Sequence, residues 1–229
     1  MYYSKSQSGR HASYPPPKEA KGNTLAELVQ EYTKLKENVH GIWNKELFIP
    51  EAVFGDRCEN PATRLTSDIL TEEQWKDFLK RVKKDEHQHR ISPDRLREIA
   101  EHLAAHWNKD AFKDFEELYK YICDILVQSK ANPDGKLTNP CSLVLYDTAL
   151  RLAYRFGKKW PNKFVYLNGG GPNDAAKMLK LTPYIKKRKI LFADLVKAYP
   201  EFNPLDATET EHFLCIRTEE IKNIMNNNK

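Results

Sequence analysis

Apolar residues recur at three- and four-residue spacing through most of this chain, and each such run predicts an amphipathic helix. Leu25, Leu28, Val29, Tyr32 and Leu35 make the first, capped by Asn23 or Thr24 and closing near Gly41. The run from Ile42 to Arg64 is rich in aromatics but broken by Pro50, Gly55 and Pro61. It predicts a packed irregular segment with a short helix from Pro50, anchored by Trp43, Phe48 and Phe54. Thr71 starts the next helix with the capping box Thr-Glu-Glu-Gln, and Trp75, Phe78, Leu79 and Val82 are its buried stripe. Ser92 followed by Pro93 marks a third start, with Leu96, Ile99, Ala100, Leu103 and Trp107 facing inward. Asp110 opens a fourth helix, from Ala111 to near Lys130, whose stripe runs from Phe112 through Phe115, Leu118 and Ile122 to Val127. The turn composition Asn-Pro-Asp-Gly at Asn132 to Gly135 stops it and sets the fourth and fifth helices antiparallel.

The pattern changes at Leu143. From there to Phe156 few positions are polar, so the fifth helix is nearly surrounded by protein. Gly157 ends it, Trp160-Pro161 turns the chain, and Phe164 to Leu167 reads as the one strand. Asn168-Gly-Gly-Gly-Pro172 then precedes an amphipathic helix from Asn173 to Leu181. Thr182-Pro183 closes that helix, Tyr184 to Lys189 is a basic link, and Ile190 to Tyr199 is helical until Pro200 and Pro204. Asp206 or Thr208 caps a last helix carrying Phe213, Leu214, Ile216, Ile221 and Ile224. The fold class is therefore mainly α: a single multi-helix domain over residues 23–225, with at most a minor strand segment near 163–168. It lies between a flexible tail, 1–22, containing Pro15-Pro16-Pro17, and a polar tail, 226–229.

Composition narrows the setting. With 40% apolar and 30% charged residues, the 229-residue chain belongs with folded rather than disordered proteins. No window of about 18 apolar residues exists, so no membrane span is expected. The N-terminus lacks the apolar run of a secretory signal, and Cys58, Cys123, Cys141 and Cys215 are scattered with no CxxC pair. Together these point to thiols in a reducing, cytoplasmic compartment. The net charge of +5 is modest, but between Arg151 and Lys189 eleven cations face the single acid Asp174. Such one-sided loading is the footprint of a polyanion partner, most often nucleic acid; the alternative is a lysine-rich face kept for solubility.

Glycines just before a helix leave its first N–H groups uncovered, and the helix dipole adds to their attraction for an anion. Asn168, Gly169, Gly170 and Gly171 are thus a candidate anion-binding turn, although neither a Walker loop nor a dinucleotide fingerprint is present. Arg155, Lys177, Lys180, Lys186, Lys187, Arg188 and Lys189 are the candidates to neutralise phosphates, with Trp160 or Tyr184 to stack on a base. In the fifth helix Asp147, Arg151 and Arg155 are spaced i, i+4 and i+8. They make either an internal ion pair or a carboxylate held by Arg151 beside a site, with Arg155 free to meet phosphate. Glu98, His102 and His106 share a helix side, yet His102-Leu-Ala-Ala-His106 lacks the glutamate that zinc proteases place after the first histidine. No metal or cofactor is expected there, and His212 and Cys215 read as packing residues.

The segment LNGGGPNDAAKML, Leu167 to Leu179, resembles the helix-hairpin-helix element of DNA glycosylases and related DNA-binding proteins. That element reads apolar, proline, glycine, apolar, glycine, any three, alanine. Leu167, Gly169, Gly171, Pro172 and Ala175 fit it, while Asn168 replaces the proline and Gly170 the apolar residue. The resemblance implies DNA as partner, with the turn's amides gripping a phosphate, and work in DNA repair. In the glycosylases an aspartate follows the hairpin, which makes Asp194 the candidate; Asp147-Thr148 is similar to their Asp-Thr motif but precedes the turn. The leading expectation is a nucleic-acid-binding protein. The alternatives are a glycosylase-like or nuclease-like enzyme using Asp147 or Asp194, and a helical protein-protein adaptor.

Overall fold

Helical periodicity becomes helix almost throughout the computed structural model, which describes residues 22–35, 46–56, 64–84, 88, 91–127 and 143–227. The protein is mainly α. In chain order the elements are α1 (Leu25–Leu35), α2 (Ile49–Phe54), α3 (Glu72–Arg81), α4 (Pro93–Ala105), α5 (Phe115–Val127) and α6 (Leu143–Arg155). β1 (Phe164–Tyr166), α7 (Gly170–Met178), α8 (Thr182–Ile185), β2 (Lys189–Leu191) and α9 (Phe192–Ala198) follow. A 3-10 turn (Pro200–Phe202), α10 (Ala207–Ile216) and α11 (Thr218–Asn227) complete the order. Residues named above that fall outside the described ones are Gly41, Ile42, Trp43, Cys58, Pro61, Lys130, the Asn132 to Gly135 turn, Cys141, the first tail up to residue 21 and the last two residues of the polar tail.

The chain divides into two compact units, where the periodicity suggests one domain over 23–225. Among the described residues, one takes in those from 46 to 159, the other 22–35 and 160–227. The division falls just after Gly157, whose left-handed backbone (φ 62°) ends the apolar stripe of α6. In the first unit α2 is buried at all six positions, and Phe54, Trp75 and Phe78 pack edge-on or tilted at 5.2–6.1 Å. Every residue of α6 from Val144 to Ala153 is buried, as its composition predicts. α5 begins at Phe115 rather than Ala111, because Asp114 accepts the Glu117 amide on its side chain (2.9 Å) and the Leu118 amide on its carbonyl (3.0 Å).

Glu51 holds the start of α2 in place, its carboxylate accepting the amides of Phe48 (2.9 Å) and Leu65 (3.0 Å). Burial nevertheless pushes its pKa above the ordinary glutamate value, outweighing those amides and the nearby Arg64. A raised folded pKa means that stability from this group is complete below the ordinary value and declines as pH rises through the elevated one. Melts of wild type and Glu51→Ala between pH 4 and pH 7 are expected to show a stability gap that narrows with rising pH.

The second unit is built on a core of Leu28, Val165, Ile190, Leu195, Phe202 and Phe213, among others. β1 and β2 pair antiparallel with Val165 opposite Ile190. Ile190 is thus a strand residue rather than the start of a helix, and α9 begins only at Phe192, whose amide donates to the Lys163 carbonyl (2.9 Å). The single last helix of the sequence reading is two, α10 and α11, parted at Arg217 (φ −110°, ψ 17°). α10 packs on α7 and β1, and α11 packs on α7, so these two helices carry the glycine turn. Among the described residues no helix is long and apolar enough to cross a membrane.

Candidate nucleic-acid interface

Gly169 is extended (φ −92°, ψ 165°) and its carbonyl accepts the Asn173 amide (3.2 Å). α7 therefore starts at Gly170, three residues before the position the pattern predicts, and takes in Gly170 and Gly171. The only described glycines with positive φ are Gly55 and Gly157, so the turn does not need glycine for a left-handed backbone. Nor does packing require it at Gly170, where an added Cβ would meet nothing within 4 Å. What glycine does there is leave the first amides of α7 uncovered. Pro172, third in the helix, adds no N–H. Asn168 is buried beneath the turn, and the Gly171 carbonyl lies 3.1 Å from Thr218 Oγ1 of α11.

The candidate cations of this unit lie on the segments that follow the turn. Lys180 follows α7 in a left-handed conformation (φ 54°), with the amide of Leu181 closing back on the Ala176 carbonyl (2.9 Å). Tyr199 anchors that end by donating to the Leu179 carbonyl (2.6 Å), and burial raises its pKa above the ordinary tyrosine value. Lys186, Lys187 and Arg188 are exposed. Arg188 is also left-handed (φ 48°), held there because its carbonyl accepts the Leu167 amide (2.8 Å). Lys177 makes an exposed pair with Asp174 (2.7 Å), a contact worth little in water. Trp160 and Tyr184, the expected stacking residues, are half-buried, and Tyr184 packs on the core of the unit.

Three expected site residues belong elsewhere. Arg155, on α6 of the first unit, is taken by Asp68 in a bidentate pair (2.6 and 2.9 Å) and lies over the Phe48 ring (4.3 Å). Its fork is filled, which removes it from the phosphate set. Asp147 is fully buried (0% exposed) on the same helix, out of reach of substrate. Arg151, also buried, donates to the Ala52 carbonyl (3.2 Å) and fastens α2 to α6. Asp194 is in the second unit, half-buried, with the Tyr184 hydroxyl 3.5 Å away. His102 donates through Nε2 to the Ile125 carbonyl (3.1 Å) and His106 through Nδ1 to the His102 carbonyl (2.9 Å). Among the described residues no three His, Cys, Asp or Glu side chains gather as a metal site. Cys123 is a buried thiol and Cys215 a half-buried one.

Sequence reasoning passed over Phe164. Its ring lies 4.3 Å from Lys189 Nζ and 5.5 Å from Lys163 Nζ, placing an aromatic side chain among the cations. The signal was Lys163 directly beside Phe164, which acquires meaning only when β2 is recognised as the partner strand that brings Lys189 to the same ring. Comparison of the chain with family models, with curated proteins and with solved structures finds no match.

Proposed function

We propose that the second unit binds nucleic acid, holding phosphates with the amides at the glycine turn and with cations between Lys163 and Lys189. The observation that carries this reading is where the chain accepts backbone strain. Among the described residues, the only non-glycine positions with positive φ are Lys180 and Arg188. A left-handed backbone costs a residue with a Cβ about 1–2 kcal/mol, which glycine would avoid. Both side chains are exposed, so packing does not ask for them. What lysine and arginine supply at such positions is charge, Lys180 just past the C-terminal end of α7 and Arg188 against Leu167, two residues before the glycine turn. The helix-hairpin-helix resemblance supports the same use of the turn, although β1 stands where that element has a helix.

The double variant Lys180→Gly with Arg188→Gly tests this directly. Relief of strain offsets the entropy of two glycines, so stability in urea is expected to hold or rise by about 1 kcal/mol. Affinity for a short DNA at low salt is expected to fall about tenfold to 100-fold as two phosphate contacts go. Unchanged affinity in the stabilised variant would mean that the strained cations serve something else. The DNA-processing alternative would rest on Asp194, the only one of the two candidate acids that is not fully buried.

A further inference from the structure

We infer that the nucleic acid held by the second unit is single-stranded, with Phe164 as the platform on which an unpaired base stacks. This rests on the nucleic-acid reading above. The β1–β2 ribbon has two unlike faces. Val165 and Ile190 fill the core (both 0% exposed), while Phe164 opposite Leu191 and Tyr166 opposite Lys189 share the other face, where Tyr166 is covered (5% exposed) and the Phe164–Leu191 end stays open. Leu191 is 37% exposed, and among the described residues of this unit it is the one large apolar side chain left so open. Tyr166 meets Phe164 edge-on at 6.4 Å and steadies the ring. The half-buried ring, its apolar shoulder and the ammonium groups of Lys163 and Lys189 make a basic surface with an aromatic centre.

Duplex DNA has little use for that surface. Its base faces are stacked inside, and what it offers a two-stranded ribbon in the major groove is base edges, hydrogen-bonding groups with the thymine methyl among them. Phe164 and Leu191 make none of those hydrogen bonds and could meet only a methyl, whereas the flat ring face would find no base to stack on. A single strand presents an open base face and a phosphate beside it, which matches one aromatic ring flanked by two cations. A lysine over a ring at the protein surface is weakly held. Lys163 and Lys189 therefore leave the ring for the phosphates as a base takes their place.

The test is fluorescence anisotropy with the full chain, a labelled mixed-sequence DNA strand of about 15 nucleotides, and the same strand in duplex form, at one low salt concentration. Wild type is expected to bind the strand at least about tenfold more tightly than the duplex. Phe164→Leu should weaken strand binding about 5- to 100-fold and leave duplex binding in place. Phe164→Trp keeps a platform, so it should retain strand affinity, with its emission quenched by the strand and not by the duplex; it decides the matter should Phe164→Leu prove misfolded by circular dichroism. Equal affinity for duplex, or a folded Phe164→Leu that binds the strand as wild type does, overturns the single-strand inference while nucleic-acid binding stands. If neither probe binds, or polyglutamate displaces the strand as readily as unlabelled strand does, the functional reading itself falls.

Discussion

Charge reversal at Lys187 and Lys189 is expected to reduce nucleic-acid affinity at low salt at least about 100-fold and to cut the salt dependence of what remains by half or more. Between Lys163 and Lys189, leaving aside Lys177 with its Asp174 partner, six cations stand ready: Lys163, Lys180, Lys186, Lys187, Arg188 and Lys189. Six neutralised phosphates give a log-log slope of about −4 for a single strand and about −5 for a duplex, a loss of a few hundredfold to 1,000-fold between 50 and 200 mM salt. Lys187→Glu with Lys189→Glu removes two contacts and adds two repulsions, which is why both affinity and slope collapse together. Stability is expected to change little, since Lys187 is exposed, Lys189 is held only over Phe164, and such surface substitutions fall within about 0.5 kcal/mol each. Titrations at several salt concentrations check both numbers at once. Binding that survives with its slope intact would place the phosphate contacts elsewhere on the protein.

Sequence pattern discloses elements that are long or chemically punctuated. The stripe of Trp75 and Phe78 and the Thr71–Gln74 capping box announce α3, and the box is formed, with Thr71 and Gln74 each accepting the other's amide (3.3 and 2.8 Å). β1, equally short, shows in its aromatic and β-branched run, but β2 was not legible because Lys-Ile-Leu runs directly into Phe-Ala-Asp and reads equally well as the start of a helix. The break between α10 and α11 carries no Gly or Pro. It sits at a buried Arg217 that pairs with Glu220 (2.9 Å). Nor does periodicity expose α10, which buries Thr208, Thr210, Glu211 and His212 together with Phe213. The candidate site was half legible for the same reason. A count of charges finds the basic run, but only tertiary structure shows that Arg155 is already matched to Asp68, 87 positions earlier, or that Phe164 lies among lysines.

Stability and binding should be separable in this protein, and Phe213→Ala shows it from the opposite side. Phe213 is fully buried, edge-on to Tyr32 (5.4 Å) and to Phe202 (5.6 Å). It joins α1, the 3-10 turn and α10, and the Tyr32 hydroxyl bonds His212 Nδ1 (2.8 Å) just beside it. Truncating a phenylalanine at such a site removes its transfer free energy and leaves a cavity, together about 3–5 kcal/mol. That is a large part of the roughly 5–15 kcal/mol that holds a typical domain folded. Urea denaturation is expected to show this loss, while affinity for nucleic acid, measured where the variant is still folded, stays within about twofold because Phe213 is fully buried and presents nothing to a ligand. Phe213→Leu, which keeps most of the volume, should recover the greater part of the stability. The charge-reversed variant has the reverse signature, with binding lost and the melt unchanged. If Phe213→Ala lost affinity while still folded, the glycine turn would depend on strain carried through α10, and the interface could not be treated as a rigid corner on a separate core.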